Sequence, residues 1–318
     1  MTGRTMDDRR LDQAPAPSTR EWQALGTYVR VATSPAEALD DAARLASEVL
    51  DEVDRACSRF RSDSDLVRAN ARAGRPTDVS PLLAAAVQVA VAAASETDGL
   101  VDLTLGHALV AVGYDRDLAL LPQASTDPSM VPVPARTGAW REVLADPAGV
   151  VTVPEGCALD LGATGKAWAA DLVVASVADA LGVDVVASLG GDVAVHGATP
   201  WPVAVSEVVG AIDAVDVVMV PAGGLATSTT LARRWVRGGV PRHHLLDPRT
   251  GEPTRGPWRT VSAFGLTAVA ANTATTAAIV MGDQALEWLQ RNDVAARLVA
   301  QDGTVVRTPG WNGQVVSS

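Results

Sequence analysis

The chain has 318 residues, a hydrophobic fraction of 47% and a formal net charge of −11 at pH 7. This length allows one large or two modest domains with a sizeable apolar core, so we expect a globular protein. The negative charge argues against non-specific binding to nucleic acid or anionic membranes, because those partners reward clustered Lys and Arg. An anionic ligand would therefore need a local cationic or metal site.

The N-terminal segment 1–22 is polar and lacks the apolar core and cleavage-like site of a signal peptide. We expect a disordered leader there, a folded domain over 23–318 and a cytoplasmic location. The longest apolar run, which begins at Pro81, is too short to span about 30 Å of hydrocarbon, so we expect no membrane insertion. Cys57 and Cys157 stand far apart without ligand-rich neighbours, which excludes zinc spacing and a disulfide framework.

The first predicted helix follows a turn-like start. Ser34, Pro35 and Glu37 have the spacing of a capping box with proline in the first turn. Apolar residues then recur at helical spacing over 42–60, with Phe60 as the last of them. This pattern predicts an amphipathic helix that begins at the capping box.

Two further helices are predicted from their end signals. One begins at Ser80 and Pro81 by the same chemistry and ends near Gly99. The other lies in "LDLGATGKAWAADLVVASVADALG" and ends at Gly182, a residue type typical of helix C-termini. We expect the helix that begins at Pro81 to be buried, because its sequence is a long apolar run rich in Ala and Val.

Short apolar stretches bounded by turn residues predict strands. One follows the third helix and breaks at Gly190 and Gly191. The stretch from Leu120 to Trp140 is rich in Pro and Ala and reads either as a loop or as a boundary between lobes. The other predicted strands are "TYVRVAT", "PVAVSEV", "AVDVVMV", "GLATSTT" and "TVSAFGLTAV", with a hairpin in "ARLVAQDGTVVRT".

The lysine after the second glycine of "LDLGATGK" raises the question of a phosphate site. Asp160 and Ala167 occupy the places where a Walker loop needs glycine and Ser or Thr, so a P-loop is excluded. Gly162 and Gly165 alone do not make a dinucleotide fingerprint. Two interpretations stay open: an anion site formed by helix N-terminal amides and Lys166, or an ordinary turn with a solvated lysine.

Other polar residues stand among apolar neighbours and usually need a partner. Asp102 and Thr104 fall on one side of a predicted extended segment before a glycine turn. Asn272 and Thr276 are four residues apart and therefore share one face of a predicted helix. Further candidates at strand ends and turns are Gly190, Gly191, Asp192, Thr227, Ser228, His244 and Thr250. Taken singly, each is more often a satisfied structural group than a ligand.

The order of these stretches resembles that of the ApbE-type flavin transferases, which move FMN from FAD onto a Thr or Ser of a partner protein. The resemblance runs from about Gly26 to the C-terminal hairpin. It is carried by "GTY", "SRFRSDSDLVRAN", "DGLVDLTLGHAL", "LDLGATGKAWAAD", "SLGGD", "ATS", "HLLDPRTG" and "ANTATTAAIVMG". It implies a mixed α+β fold with mainly antiparallel sheets covered by helices, and two lobes with the flavin pocket between them.

The resemblance also implies a set of site residues. His244 is the candidate base for the incoming hydroxyl, and Thr276 acts in catalysis as a ligand of Mg²⁺. The main-chain oxygen of Ala163 and the side chain of Asn272 complete the metal site, with Asn272 at a place where the family has an aspartate. The implied FAD-binding residues are Asn70, Leu100, Val101, Asp102, Thr104, Asp160, Lys166, Gly190, Gly191, Ser228, His244 and Thr250.

Three functions stay open at this point. The first is Mg²⁺-dependent transfer of FMN from FAD to an acceptor protein, with release of AMP. The second is an FAD-binding relative with little or no turnover, because the amide of Asn272 brings no negative charge to the metal. The third is an FAD pyrophosphatase that uses water as the nucleophile and yields FMN and AMP.

Overall fold

A computed structural model describes residues 18–121, 135–207 and 216–313. Its helices are α1 Leu39–Cys57, α2 Asp65–Asn70, α3 Pro81–Glu96, α4 Gly106–Ala111, α5 Gly165–Leu181, α6 Ala268–Met281 and α7 Ala285–Arg291. Its strands are β1 Thr19–Ala24, β2 Thr27–Ser34, β3 Pro76–Asp78, β4 Leu144–Asp146, β5 Val150–Thr152, β6 Asp184–Leu189, β7 Asp192–His196, β8 Trp201–Val205, β9 Asp216–Val220, β10 Gly223–Thr229, β11 Arg234–Arg237, β12 Val240–His243, β13 Leu246–Asp247, β14 Glu252–Pro253, β15 Trp258–Gly265, β16 Ala296–Ala300 and β17 Val305–Arg307.

One large sheet organises the chain. Its eight strands follow the order β1-β2-β6-β7-β10-β15-β16-β17, and each neighbouring pair is antiparallel. The other strands form smaller two- and three-stranded sheets. The predicted mixed α+β class with mainly antiparallel sheets is therefore confirmed, whereas the division into two lobes stays a prediction.

Helices cover one face of the large sheet and a strand pair covers the other. Helix α5 packs on β6 and β7, α6 packs on β10 and β15, and α1 packs on α5. Along β7, Ala194 belongs to the core under the helices, whereas Val193 and Val195 belong to a second core with β8 and β9. This alternation is the two-residue period expected of a strand that is buried on both faces.

The start of the first helix differs from the prediction. Ser34 is the last residue of β2 and pairs with Asp184, so it cannot act as a helix cap. A 3-10 turn over Ala36–Ala38 follows, and α1 begins only at Leu39, without a side-chain cap. The predicted capping box is wrong because sheet pairing carries the strand through the serine. The helix also ends before Phe60.

Other local predictions are confirmed. The Ser80 hydroxyl accepts from the Leu83 amide at 3.2 Å, which caps α3. Gly182 ends α5 with a φ of 65°, in the left-handed region that glycine adopts easily. The predicted strands appear as β2, β6, β8, β9, β10 and β15, and the predicted hairpin appears as β16 and β17.

Two sequence expectations concern the ends and breaks of the domain. Of the expected leader 1–22, residues 1–17 lie outside the described residues, whereas Thr19–Ala24 form β1 and pair with β2. Most of the Pro- and Ala-rich stretch, 122–134, also lies outside the described residues. In the described part of the chain, no helix is long and apolar enough to cross a membrane.

Candidate active site

The turn before α5 holds Lys166 against its own backbone. The Lys166 ammonium donates to the Gly162 carbonyl at 3.2 Å and lies 4.0 Å from Oδ2 of Asp192. The side chain is only 18% exposed. Burial and the charge of Arg233 lower the pKa of Lys166 to about 8, although Asp192 and Asp160 oppose the shift. The alternative of a solvated lysine does not agree with this burial.

Asp160 is anchored by the Gly162 amide and by Arg59, which the sequence did not single out. Arg59 Nε lies 2.6 Å from Oδ2 of Asp160, and the Gly162 amide donates to Oδ1 at 2.8 Å. The Arg59 guanidinium also stacks on the rings of Phe60 and Tyr114, at 4.2 and 4.6 Å from their centroids. Arg59 stands inside the stretch "SRFRSDSDLVRAN", but residue type alone does not indicate so distant a partner.

The segment of Asp102 and Thr104 lies beside Asp160, whose amide donates to the Leu103 carbonyl at 2.8 Å. The prediction of an extended segment is wrong here. Asp102 Oδ1 accepts from both the amide and the hydroxyl of Thr104, each at 2.7 Å, and these bonds close a tight turn. Burial raises the pKa of Asp102, while its bonds to Thr104 oppose the change.

Asn70, at the end of α2, fixes the backbone of the residue before Asp160. Its Nδ2 donates to the Leu159 carbonyl at 2.9 Å, and the Leu159 amide donates back to its Oδ1 at 2.7 Å. The backbone thus engages both ends of the amide. Asn70 positions the neighbouring carboxylate, and its direct contact with FAD stays a prediction.

Helix α6 carries Asn272 and Thr276 on one face, as the sequence predicts. The N-terminus of this helix is tied to α5 by Asp171. The Asp171 carboxylate accepts from the Ala268 amide at 2.8 Å and from the Val269 amide at 3.1 Å. Because these first-turn amides have no partner within the helix, the carboxylate satisfies them and sets the position of α6.

Hydroxyl groups from β10 and α6 meet in the interior. Ser228 Oγ lies 2.9 Å from Thr275 Oγ1 and 3.1 Å from Thr276 Oγ1. Thr276 Oγ1 in turn lies 3.4 Å from Asn272 Oδ1. All four residues are buried. The structure therefore brings Ser228 next to Asn272 and Thr276, which the sequence had already placed on one face of a helix.

The glycine turn between β6 and β7 places Asp192, the first residue of β7, next to α6. Gly190 and Gly191 have φ values of 66° and 130°, a conformation that side chains disfavour. Asp192 is 3% exposed, and its Oδ1 accepts from Asn272 Nδ2 at 2.8 Å. Burial raises the pKa of Asp192, while Lys166 and the Asn272 hydrogen bond oppose the change. The sequence named Asp192 as a candidate at this strand end, but the family resemblance did not include it among the FAD or metal ligands.

Apolar contacts confirm that these stretches converge. Ala163, from the turn before α5, packs in one cluster with Leu100 and Val101, which follow α3. Ala277, the residue after Thr276 in α6, belongs to the same cluster. The three parts of the chain that the sequence assigned to the metal and to FAD therefore lie next to one another.

His244 lies between β12 and β13, near Lys166 and Arg233. Burial lowers the pKa of His244 well below its ordinary value, and the charges of Arg233, Lys166 and His243 lower it further. Among the described residues, no group is hydrogen-bonded to its Nδ1. The imidazole is thus neutral at pH 7, and its burial and positive neighbours disfavour the protonated form. Arg233 is a charged neighbour that the sequence did not identify.

Thr250 has a different setting. It is exposed on the turn between β13 and β14, where its amide and hydroxyl donate to the Asp247 carbonyl at 3.1 and 3.4 Å. The adjacent Arg249 donates to the Val280 carbonyl near the end of α6 at 3.4 Å. The contact of Thr250 with FAD stays a prediction.

The donor atoms at this site suit Mg²⁺. Ala163, Asn272 and Thr276 offer a carbonyl, an amide oxygen and a hydroxyl, and Mg²⁺ prefers oxygen ligands. In the parts of the chain that the structure describes, no group of three His, Cys, Asp or Glu side chains forms a metal site by itself. A cation here would thus depend on ligand phosphates for much of its coordination, which is usual for Mg²⁺.

Comparison with known proteins agrees with this picture. The model of the ApbE family matches residues 25–298. A Treponema pallidum protein named FAD:protein FMN transferase is 31% identical over 281 residues, covering 81% of this chain and 77% of the relative. A Rhodobacter capsulatus protein of the same name is 29% identical over 317 residues and covers 94% of this chain. This chain spans only 59% of that relative's length.

Solved structures are similar over nearly the whole chain. The ApbE protein of Thermotoga maritima matches with a TM-score of 0.79 and 26% identity, covering 92% of this chain and 97% of that chain. The apo form of the flavinyl transferase ApbE of Pseudomonas stutzeri matches with a TM-score of 0.73 and 22% identity, covering 92% and 95%. The latter likeness supports the fold alone. Because the family model matches most of this chain, the chain belongs to the ApbE family.

Proposed function

We propose that this protein transfers FMN from FAD to a Thr or Ser hydroxyl of an acceptor protein in a Mg²⁺-dependent reaction that releases AMP. The observation that carries the proposal is the convergence of Lys166 and Asp192 with the buried oxygens of Asn272 and Thr276. Phosphoryl transfer requires that the negative charge of the pyrophosphate be neutralised, and a bound Mg²⁺ together with the Lys166 ammonium would do this. The names of the curated relatives support the same reaction.

The proposed chemistry exchanges one phosphorus–oxygen bond for another. The acceptor hydroxyl oxygen attacks the FMN phosphorus of FAD, the bond from that phosphorus to the bridging oxygen breaks, and AMP leaves with that oxygen. His244 takes the hydroxyl proton through its neutral imidazole, although burial and the charges of Arg233 and Lys166 weaken it as a base. Lys166 binds a phosphate oxygen through its ammonium group, which a pKa of about 8 keeps largely protonated at neutral pH.

The metal would be held by the carbonyl of Ala163 and the side chains of Asn272 and Thr276. When bound, Mg²⁺ supplies charge neutralisation and orientation of the pyrophosphate. Ser228 keeps the Thr276 hydroxyl in place through their 3.1 Å contact. Asp171 fixes the N-terminus of α6, the helix that carries Asn272 and Thr276.

The flavin nucleotide would lie along the turn before α5. Asp102 and Asp160 are both held by neighbouring groups, so they offer carboxylate oxygens with little freedom to move. Such oxygens accept hydrogen bonds from a hydroxyl or a ring NH of the ligand. The turn of Gly190 and Gly191 allows close approach of the ligand to the backbone.

One assay separates the three functions that the sequence left open. The full chain is incubated with FAD and Mg²⁺, with and without the acceptor proteins of the named transferase relatives, and AMP, free FMN and protein-bound flavin fluorescence are measured. Transfer predicts AMP and bound flavin in equal amounts, only with an acceptor. AMP and free FMN without an acceptor indicate a pyrophosphatase, and intact FAD indicates a binding protein. Either of the last two results contradicts the proposal.

A further inference from the structure

A buried carboxylate and a buried amide meet beside the proposed metal ligands. Asp192, the first residue of β7, is 3% exposed, and Asn272, on α6, is 7% exposed. Asn272 Nδ2 donates to Asp192 Oδ1 at 2.8 Å. The pair exists because α6 packs against β7 as well as against β10 and β15.

This hydrogen bond decides which way the amide of Asn272 faces. A carboxylate only accepts hydrogen bonds, so the NH₂ group turns toward Asp192 and the oxygen turns away from it. Asn272 Oδ1 accepts a hydrogen bond from the Thr276 hydroxyl at 3.4 Å. Ser228 Oγ also lies within hydrogen-bond distance of that hydroxyl, at 3.1 Å. Two oxygen donors are thereby held side by side on α6.

The oxygens proposed as Mg²⁺ ligands carry no negative charge of their own, since Ala163 offers a carbonyl, Thr276 a hydroxyl and Asn272 an amide. Asp192 is a carboxylate in hydrogen-bond contact with this set. Its second oxygen lies 4.0 Å from the Lys166 ammonium. Groups that hydrogen-bond to a metal ligand commonly change metal affinity by about 10- to 100-fold, because they orient the ligand and tune its charge.

We propose that Asp192 and Asn272 together take the part of one metal-binding carboxylate. Asn272 presents the ligand oxygen, whereas Asp192 orients that oxygen and places a negative charge one hydrogen bond behind it. Asp192 is therefore a positioning residue. The inference rests on the proposed Mg²⁺-dependent transfer from FAD, and it concerns how this chain makes a neutral ligand set hold a divalent cation.

A Mn²⁺ titration of the full chain with FAD tests the pair without turnover. The electron paramagnetic resonance signal of free Mn²⁺ reports binding, and a titration of FAD alone corrects for metal held by the nucleotide. Asp192→Asn keeps the side-chain shape and removes the charge, so we expect Mn²⁺ to bind about 10- to 100-fold more weakly. The double variant, Asp192→Asn with Asn272→Asp, keeps one negative charge and the hydrogen bond between the two side chains. We expect its affinity for Mn²⁺ to be within about 3-fold of wild type.

Asp184→Asn is the matched control. Asp184 begins β6 at the end opposite the glycine turn, and its carboxylate bonds to Thr199. We expect this variant to bind Mn²⁺ like the wild type, because it removes a charge from the same sheet without touching α6. A comparable loss in Asp184→Asn would mean that net charge, and not the pair, controls affinity, which overturns the proposal.

Two further results overturn the proposal: wild-type affinity in Asp192→Asn, or a double exchange that binds Mn²⁺ as weakly as the single variant. If Asp192→Asn does not fold, as judged by circular dichroism, the double exchange decides alone, because it retains both the charge and the hydrogen bond. Failure of the transferase proposal is distinguishable. It would appear as wild-type protein that binds Mn²⁺ with FAD and releases no AMP in the presence of an acceptor.

Discussion

Replacing Asp171 by alanine is expected to loosen α6, the helix that carries Asn272 and Thr276. The Asp171 carboxylate reaches from α5 to two amides of the first turn of α6, those of Ala268 at 2.8 Å and Val269 at 3.1 Å. Neither amide has a partner within the helix. Truncation therefore leaves two donors unsatisfied at a partly buried helix end.

The size of the effect follows from these contacts. Hydrogen bonds to a charged group contribute about 1.5–3 kcal/mol, and removal of an N-terminal cap costs about 0.5–2 kcal/mol. Burial raises the pKa of Asp171, so desolvation of the carboxylate offsets part of the gain from its two hydrogen bonds. We expect Asp171→Ala to lower the free energy of unfolding by about 2 kcal/mol. With about 2.1 cal/mol/K of unfolding entropy per residue, the thermal midpoint of the 318-residue chain falls by roughly 3 °C.

Thermal and denaturant unfolding of the full chain measure this loss. Asp171→Asn keeps one carbonyl oxygen as an acceptor and is expected to fall between alanine and wild type. Thr267→Ala is the matched control at the same helix end, because within the described residues the Thr267 hydroxyl accepts from one helix amide, that of Ala270, at 3.1 Å. We expect that variant to lose about 1 kcal/mol. A loss below about 0.5 kcal/mol in Asp171→Ala, the range of neutral surface substitutions, would refute the capping role.

The remaining predictions concern charge, proton transfer and backbone shape. Lys166→Met is expected to weaken FAD binding at least about 10-fold in a fluorescence titration. The wild-type affinity should fall as pH rises through about 8, where the free ammonium loses its proton, and the variant should show no such fall. His244→Ala is expected to slow AMP release by about 10²- to 10⁴-fold with FAD affinity changed far less, and an equal loss in both would contradict the base role. Gly190→Ala is expected to lower the free energy of unfolding by about 1–3 kcal/mol, more than Gly182→Ala. Both glycines have a left-handed φ, but a Cβ added at Gly190 would clash with the side chain of Thr27, whereas a Cβ at Gly182 would meet open space. Equal unfolding midpoints for the two variants would contradict this reasoning.

The surroundings of Asn272 show what the sequence alone does not reveal about this position. In the sequence, the amide reads as the loss of a metal-binding charge. In the structure it faces Asp192, which stands at a strand end 80 positions away. Because a hydrogen bond partner is chosen by the packing of α6 on the sheet, no spacing rule within either stretch indicates the pair.

The sequence by itself determined the elements whose signals are local. Ser80 and Gly182 mark helix ends because a cap acts within one turn, and the four-residue spacing of Asn272 and Thr276 places them on one face of any helix. The same reasoning failed at Ser34, where pairing of β2 with β6 overrode a plausible cap. Local chemistry cannot foresee a competing partner from another strand.

Only the tertiary structure decided which groups share the site. Arg59 meets Asp160, Asp192 meets Asn272, and Asp171 meets the first turn of α6, and in each case the partners lie on different elements. Burial then sets their electrostatics, as for Lys166, whose lowered pKa depends on desolvation that only the packed chain imposes. Local sequence signals act over a few residues, whereas contacts, burial and nearby charges depend on segments that only folding brings together.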